Sequence, residues 1–428
     1  MKRKINIGLI GFGNIGSAFA AYLISRKNFL KQKTGIIFEL RGIVEKDVKK
    51  IPQSYRHLLF SSVEKLISTP DIDVIVELIG GIQPACKYIL GALENGKHII
   101  TANKALLAEK GDEIFQLAKR KNLYLGYEAA VAGGIPIIKD INQSLISNQI
   151  ESILGIVNGT SNYILTLMET DEISMVEAIK IAQKQGYAER DPSLDIDGID
   201  SAHKLAILIR LGFGYSPEFA KIFKEGIRCI SHLDIKYALE LGYRIKLLAI
   251  AKKNGRRIEA RVHPTLLPVE HVLASVRGVY NAVYLKADLV GEMLFYGRGA
   301  GKNPTTSALV SDLVELARFY NNDNRVFLGY YMNSKIEGLV DINEISSRYY
   351  IRFMAVDKPG VLARISGILG KYNISIASVT QKERRKAKAV PIVMMTHEAK
   401  ESNMKKALSE IKKLDVITNT PVSIRVEE

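Results

Sequence analysis

Short apolar runs separated by amphipathic stretches dominate the first third of the chain. Residues 5–10 are almost wholly apolar, and 35–44, 73–78 and 98–101 repeat the pattern with helical-period segments between them. Runs that are apolar at nearly every position predict strands buried on both faces, the signature of a parallel α/β sheet. Between 129 and 300 the pattern mixes helices with strands such as 152–157 and 244–251, which predicts an α+β domain whose sheet surface suits dimerisation. A helix is predicted from about Asn303 to Tyr320, and the polar run Asn321, Asn322, Asp323, Asn324 marks a break. Beyond it the order is strand 349–356, helix 360–371, strands 374–381 and 389–396, helix 400–413 and strand 416–426, a βαββαβ unit.

The first strand runs directly into Gly11, Phe12, Gly13, Asn14, Ile15 and Gly16, and then into the helix-compatible Ser17, Ala18, Phe19 and Ala20. In this strand, turn and helix context the first glycine permits a tight turn and the second lets backbone approach a pyrophosphate. The third allows close packing, and the helix N-terminus adds N–H donors and positive dipole. This predicts a Rossmann-type nucleotide domain. Glu45, closing the second strand, suits the ribose hydroxyls of NAD, whereas the neighbouring Lys46 suits the 2′-phosphate of NADP, so both cofactors stay open.

Five carboxylates, Glu189, Asp191, Asp195, Asp197 and Asp200, crowd the turn-rich stretch 186–204, with Lys204 the nearest cation. Such crowding raises the cost of ionisation unless a cation offsets it. With a helix starting near Gly198, Asp200 and Lys204 stand four apart on one face. Taken alone, the pair reads as an ordinary surface ion pair worth a few tenths of a kcal/mol. Asp191, Asp195 and Asp197 read as turn and cap residues around Pro192. Gly186 reads as the glycine ending a helix that opens with the capping box Ser174 and Glu177.

Six ordered motifs together resemble homoserine dehydrogenase: the glycine loop; Thr101, Ala102, Asn103, Lys104; residues 128–136; residues 158–164; residues 186–204; and residues 299–307. The resemblance covers nearly the whole chain and implies reduction of aspartate semialdehyde to homoserine with NAD(P)H, in threonine, methionine and isoleucine biosynthesis. It implies that Lys204 is the catalytic lysine handling the alkoxide proton and that Lys104 is a second essential lysine between nicotinamide and substrate. Glu189 and Asp200 match substrate-binding carboxylates, sensible for a ligand that carries an ammonium group. Gly186 and Gly301 match cofactor contacts. Glu128, Val131, Gly133 and Ile135 match a structural site for a monovalent cation, typically Na+. In the C-terminal unit, residues 357–362 followed by Asn373, Ile374, Ser375 and Ile376 resemble the ACT domain, which implies feedback control by an amino acid, plausibly threonine, with a purely assembling role as the alternative.

The expected domains are therefore 1–128 plus 301–325 for the nucleotide, 129–300 for substrate and dimerisation, a linker at 326–346 and the ACT unit at 347–428. A length of 428 residues suits about three domains. Cys86 and Cys229 are the only cysteines, too few for a disulfide framework, and both read as packing residues. No apolar run reaches the roughly 18 residues that span a bilayer, and the charged opening Met1, Lys2, Arg3, Lys4 is not a signal peptide, which points to the cytoplasm. The net charge of +15 suits a phosphorylated cofactor. No DNA-reading motif or aromatic-interleaved basic stripe accompanies it, and the run 382–388 reads as a solvated hairpin connection, so neither nucleic acid nor membrane is an expected partner. A homodimer or homotetramer is expected. A phosphorylating aldehyde dehydrogenase would need a nucleophilic cysteine in a suitable motif, which is missing. A histidine-based hydroxy-acid dehydrogenase would need His203, about 100 degrees from Lys204 on the helix and read as supporting structure. A nucleotide-sensing regulator is the non-enzymatic alternative.

Overall fold

Residues 4–320, 332–382 and 389–428 are described by a computed structural model. They divide into one unit of Met1–Glu151, His203–Ala220 and Asn281–Lys335 and another of Ser152–Ala202, Lys221–Tyr280 and Ile336–Glu428. The polar break at 321–324, the first part of the expected linker and most of the basic run at 382–388 lie outside the described residues.

The first unit is built on β1 (Lys4–Ile10), α1 (Asn14–Ser25), β2 (Ile37–Val44), β3 (Val74–Glu77), β4 (His98–Thr101), α2 (Lys104–Arg120) and β5 (Leu125–Gly126). Every residue of β3 and β4 is buried, as sheets covered on both faces require. The strands are parallel in the order β2-β1-β3-β4-β5, so the chain leaves β1 on one side and returns on the other. The carboxyl ends of β1 and β3 thus flank a topological switch point, where open α/β sheets take their ligands. The helix Lys302–Tyr320 brings Leu309, Leu313 and Leu316 into the same core as Phe19 and Leu23 of α1 and Ile5, Ile7 and Leu9 of β1. Each such side chain contributes about 1.5–3 kcal/mol of burial.

The second unit contains β6 (Ile150–Ile156), α3 (Gly159–Thr170), α4 (Met175–Lys184), the first turn of α5 (Ile199–Phe213), α6 (His232–Glu240), β7 (Tyr243–Asn254) and β8 (Arg257–Pro268). It continues with β9 (Ser346–Val356), α7 (Val361–Lys371), β10 (Ile376–Thr380), β11 (Ala389–Thr396), α8 (Glu401–Ile411) and β12 (Val422–Val426). The C-terminal βαββαβ motif is present, but its sheet does not stand alone. The strands run β6-β7-β8-β12-β9-β11-β10, with β12 parallel to β8 through Arg425 opposite Thr265 and Val426 opposite Leu266. The closing strand is shorter than the pattern 416–426 implies. Residue 417 makes only an isolated bridge with Ala355, and pairing resumes after Pro421, which has no N–H to donate. Within the stretch expected as a linker, Gly338–Leu339 pairs in parallel with β8. Cys86 is buried, but Cys229 is exposed, contrary to its reading as a packing residue, because it falls in the irregular segment just before the Ser231 cap of α6.

Buried charges fasten the elements of this unit. Arg425 of β12 donates two hydrogen bonds to Glu401 of α8, at 2.8 and 2.6 Å, and one to Glu225 at 2.8 Å. Arg352 of β9 grips Asp234 of α6 at 2.6 and 2.9 Å, and Arg261 of β8 meets Glu427 at 3.0 Å.

Lys246 of β7, 1% exposed, has no carboxylate partner among the described residues; its Nζ donates to Val276 O at 2.5 Å and to Asn162 Oδ1 at 3.4 Å. Burial pushes its pKa down to about 8, against the opposing pull of Glu169. Below pH 8 both folded and unfolded states carry the proton and the fold bears the full cost of burying it. Between pH 8 and about 10.4 the unfolded chain binds more protons, so stability should rise with pH. Urea unfolding of wild type and Lys246→Met across pH 7–10.5 checks this. The wild type should gain up to about 3 kcal/mol relative to the variant over that window, and parallel curves would refute it.

Candidate functional site

The glycine loop begins at the end of β1 with Gly11 at φ +99°, where a Cβ would lie 2.9 Å from Ile79 and 3.0 Å from Leu78 O. Gly13 faces open space, with nothing within 4 Å of a Cβ, as an approaching pyrophosphate requires. At Gly16 a Cβ would meet Gly11 O at 2.1 Å, so this glycine keeps the turn closed on itself. Phe12 N donates to Glu45 Oε2 at 2.6 Å and Asp47 N to Glu45 Oε1 at 3.1 Å. Burial raises the Glu45 pKa, but these backbone donors outweigh it and hold the carboxyl below its usual range. Glu45 therefore braces the loop, with lone pairs remaining for a ribose hydroxyl. Gly16→Ala should weaken NAD(P)H binding about 5- to 150-fold, since overpacking a tight turn costs roughly 1–3 kcal/mol. Titration of cofactor fluorescence tests it, and unchanged affinity would contradict the packing argument.

Lys104 is the first residue of α2, whose N-cap is Asn103: Leu106 N donates to Asn103 Oδ1 at 3.1 Å. The helix start is tied to the loop after β3, because Asn103 Nδ2 donates to Gly81 O at 2.6 Å. Behind it lies Glu77, 0% exposed, which sequence reasoning passed over because it sits inside an apolar strand. In the same unit, the part of α5 from His203 onward packs along α2. His203 stacks on Phe219 at 4.4 Å and lies 3.3 Å from Glu109, while Arg210 pairs with Asp112 and covers the Phe115 ring at 4.2 Å. The lysine-bearing helices are thereby fastened side by side, and His203 supports that packing.

Asp200 and Lys204 are only 6% and 7% exposed, which overturns the surface ion-pair reading. Within the second unit Asn158, the N-cap of α3, uses Nδ2 to donate to both Asp200 Oδ2 at 2.8 Å and Asp195 Oδ1 at 2.6 Å. Asp195, read as a turn residue, therefore faces Asp200 across a shared donor. The contact escaped sequence reasoning because Asn158 is 37 residues from Asp195. Ser161 adds a hydrogen bond to Asp195 O at 2.8 Å. Asp191 and Asp197 keep structural roles: Asp191 accepts from Ser193 N at 3.1 Å, and Asp197 pairs with Arg228. Glu189 is exposed, and no hydrogen bond among the described residues joins its carboxyl to the Asn158 cluster. Its backbone carbonyl accepts from Gln183 at 3.1 Å. Gly186, at φ +75°, ends α4 with Gly186 N on Gln183 O at 3.0 Å and Tyr187 N on Ala182 O at 2.9 Å, a Schellman termination. Gly186 is exposed, which leaves its backbone approachable.

Glu128 is 2% exposed, and its two oxygens accept from Ile138 N at 3.0 Å and Lys139 N at 2.9 Å. Burial, reinforced by Asp312, pushes its pKa up to about 8. Beyond it Ala132 adopts φ +49°, and Gly133 and Gly134 press against Gly299 O and Arg298 O, where a Cβ would lie at 3.0 and 2.6 Å. The Ala132 and Ile135 carbonyls each accept one backbone hydrogen bond at 2.8 Å, and the Val131 and Gly133 carbonyls accept none among the described residues. An all-oxygen set with one carboxylate suits a hard monovalent cation, and no cluster of three or more His, Cys, Asp or Glu suited to another metal occurs among the described residues. Gly301, at φ +118° and exposed, precedes the helix Lys302–Tyr320, and Thr305 N donates to its carbonyl at 3.1 Å.

Three family models match consecutive stretches: the homoserine dehydrogenase NAD binding domain over residues 11–128, homoserine dehydrogenase over 136–314 and the ACT domain over 349–416. A homoserine dehydrogenase of Neisseria gonorrhoeae is 43% identical over 430 residues, covering 99% of each chain. That of Helicobacter pylori is 42% identical over 427 residues, covering 100% of each. The crystal structure of a homoserine dehydrogenase from Thiobacillus denitrificans matches with a TM-score of 0.93 at 40% identity, over 100% of this chain and 99% of that one.

Proposed function

This chain belongs to the homoserine dehydrogenase family, and from that premise we propose that it reduces L-aspartate 4-semialdehyde to L-homoserine. The observation that carries the reading is the burial of Asp200 and Lys204 four residues apart on one helix. Burying a carboxylate and an ammonium is costly, and such groups are retained chiefly where a polar site uses them. The loop Gly11 to Gly16 with Glu45 and Gly301 would hold NAD(P)H, which would supply the hydride, and Gly186 is a further cofactor contact in the family pattern. The carbonyl π pair of the aldehyde moves onto oxygen as its carbon accepts hydride, and Lys204 donates the proton that completes the hydroxyl. Lys104 orients the aldehyde against the nicotinamide. Asp200 and Glu189 bind the substrate ammonium, and Asp195, joined to Asp200 through Asn158, adds negative charge to that grip.

Glu128 with the carbonyls of Val131, Gly133 and Ile135 holds Na+, which would relieve the raised pKa of that carboxyl. The nucleotide domain comprises 1–128 and 301–325, the substrate and dimerisation domain 129–300, the linker 326–346 and the ACT unit 347–428. The exposed residues Lys358, Pro359 and Gly360 lead into α7 and form the entry where an amino-acid effector, threonine, binds to restrain the biosynthetic step. The enzyme works as a homo-oligomer in the cytoplasm; among the described residues no helix is long and apolar enough to cross a membrane.

The test follows absorbance at the nicotinamide band with aspartate semialdehyde and NADPH or NADH, and with homoserine and the oxidised cofactors. Turnover with one pair supports the reading and settles the preference that Glu45 and Lys46 leave open. No turnover with any pair would sink it.

A further inference from the structure

Glu77 ends β3 with its side chain 0% exposed, and among the described residues its carboxyl is hydrogen-bonded to the loop after β3 and to Thr101, which lead to Lys104. Oε1 accepts from Ile79 N at 2.8 Å and Gly80 N at 3.2 Å, and Oε2 accepts from the Thr101 hydroxyl at 2.6 Å. Thr101, also 0% exposed, uses the same hydroxyl oxygen to accept from Asn103 N at 3.0 Å. Asn103 closes the circuit by donating from Nδ2 to Gly81 O at 2.6 Å. A closed ring thus joins the carboxyl ends of two adjacent parallel strands, the loop 78–81 and the helix start that bears Lys104. The loop continues to the glycine turn: Leu78 N donates to Ile10 O at 2.8 Å, and a Cβ on Gly11 would lie 2.9 Å from Ile79.

A carboxyl group inside a parallel sheet is expensive to desolvate and is held here by three donors from the loop after β3 and from β4. What Glu77 adds is a fixed spacing between the Gly11 turn, where the pyrophosphate sits, and Lys104, where the hydride acceptor is held. We propose that Glu77 is a positioning residue for hydride transfer, acting through Thr101 and Asn103 to set Lys104 and through Ile79 and Gly80 to shape the nicotinamide end of the cofactor site. The inference rests on the homoserine dehydrogenase reading and deepens it by assigning a residue to the geometry between cofactor and substrate.

Glu77→Gln keeps the size but presents an amide NH2 to donors that now face an acceptor. A misplacement of about 1 Å at the reacting centre costs on the order of 100-fold in rate. Glu77→Gln should therefore lower kcat by about 10–100-fold and weaken the nicotinamide cofactor that the wild type uses. It should leave the affinity for ADP-ribose, or its 2′-phosphate, unchanged, because that fragment lacks the nicotinamide end. Thr101→Val reads the same contact from the other partner if the first variant does not fold, and Thr101→Ser, which keeps the hydroxyl, should restore most of the kcat that Thr101→Val loses. Equal weakening of cofactor and fragment, unchanged kcat in Glu77→Gln, or loss of activity in Thr101→Ser despite a native melting temperature would each overturn the proposal. Absence of turnover in the wild type would instead overturn the underlying reading, so the two failures are distinct.

Discussion

Replacement of Lys204 by Ala is expected to lower kcat about 100- to 10,000-fold, the range of a lost general acid, while the KM for aspartate semialdehyde changes far less. Lys204 lies one turn beyond Asp200, 7% exposed, on a helix that His203 and Arg210 fasten to α2. Those two contacts remain when its ammonium is removed. Lys204→Arg separates charge from proton transfer, since a guanidinium keeps the positive field but does not release its proton near neutral pH. If the proton is the essential contribution, the Arg variant should remain close to the Ala variant. Steady-state kinetics in the reductive direction, with circular dichroism to confirm the fold, decides the matter. An Ala variant retaining more than about a tenth of wild-type kcat would remove Lys204 from this role.

Asp234→Ala is expected to be the most destabilising single change outside the site, by about 3–5 kcal/mol. Asp234 is 0% exposed and satisfies five donors: Arg352 Nε at 2.6 Å and NH2 at 2.9 Å, Tyr350 OH at 3.2 Å, and Ser231 N at 2.9 Å and Oγ at 2.6 Å. Truncation strands the Arg352 guanidinium, 9% exposed, and removes the capping box of α6 in one step. Most of the cost comes from the orphaned charge rather than from a strongly favourable pair. The double variant Asp234→Ala, Arg352→Met should accordingly recover a substantial part of the loss. Urea denaturation of the two single variants and the double variant forms the cycle. A double variant as unstable as the sum of the singles would refute the orphaned-charge account.

What could be read in advance was local. The capping box of Ser174 and Glu177 and the termination at Gly186 follow from their own residues, because each is closed by hydrogen bonds within a few positions; the turn from Gly11 to Gly16 was legible from its glycine spacing, although Glu45, 33 positions on, braces it. The Asp200 and Lys204 spacing was legible, but their burial was not, since it is conferred by distant segments. The side-chain partner of Asp195 was missed for the same reason: Asn158 lies on another helix. Glu77 was hidden by its neighbours, because one acid at the end of Val74, Ile75 and Val76 does not disturb the apolar pattern that announces a strand. The C-terminal motif was legible as βαββαβ, yet its merger with β8 depends on edge pairing, which strand patterns do not encode.

That merger has a consequence during protein synthesis. Strand β8 emerges from the ribosome long before its neighbour β12, and Arg261 must wait for Glu427, 166 residues later. At about 5–20 residues per second the delay is roughly 10–30 s. Throughout it Thr265 and Leu266 of β8 lack their strand partner, and Arg261, although paired with Glu259, lacks its second carboxylate. The last strand is thus a timer on when the second unit can complete its sheet.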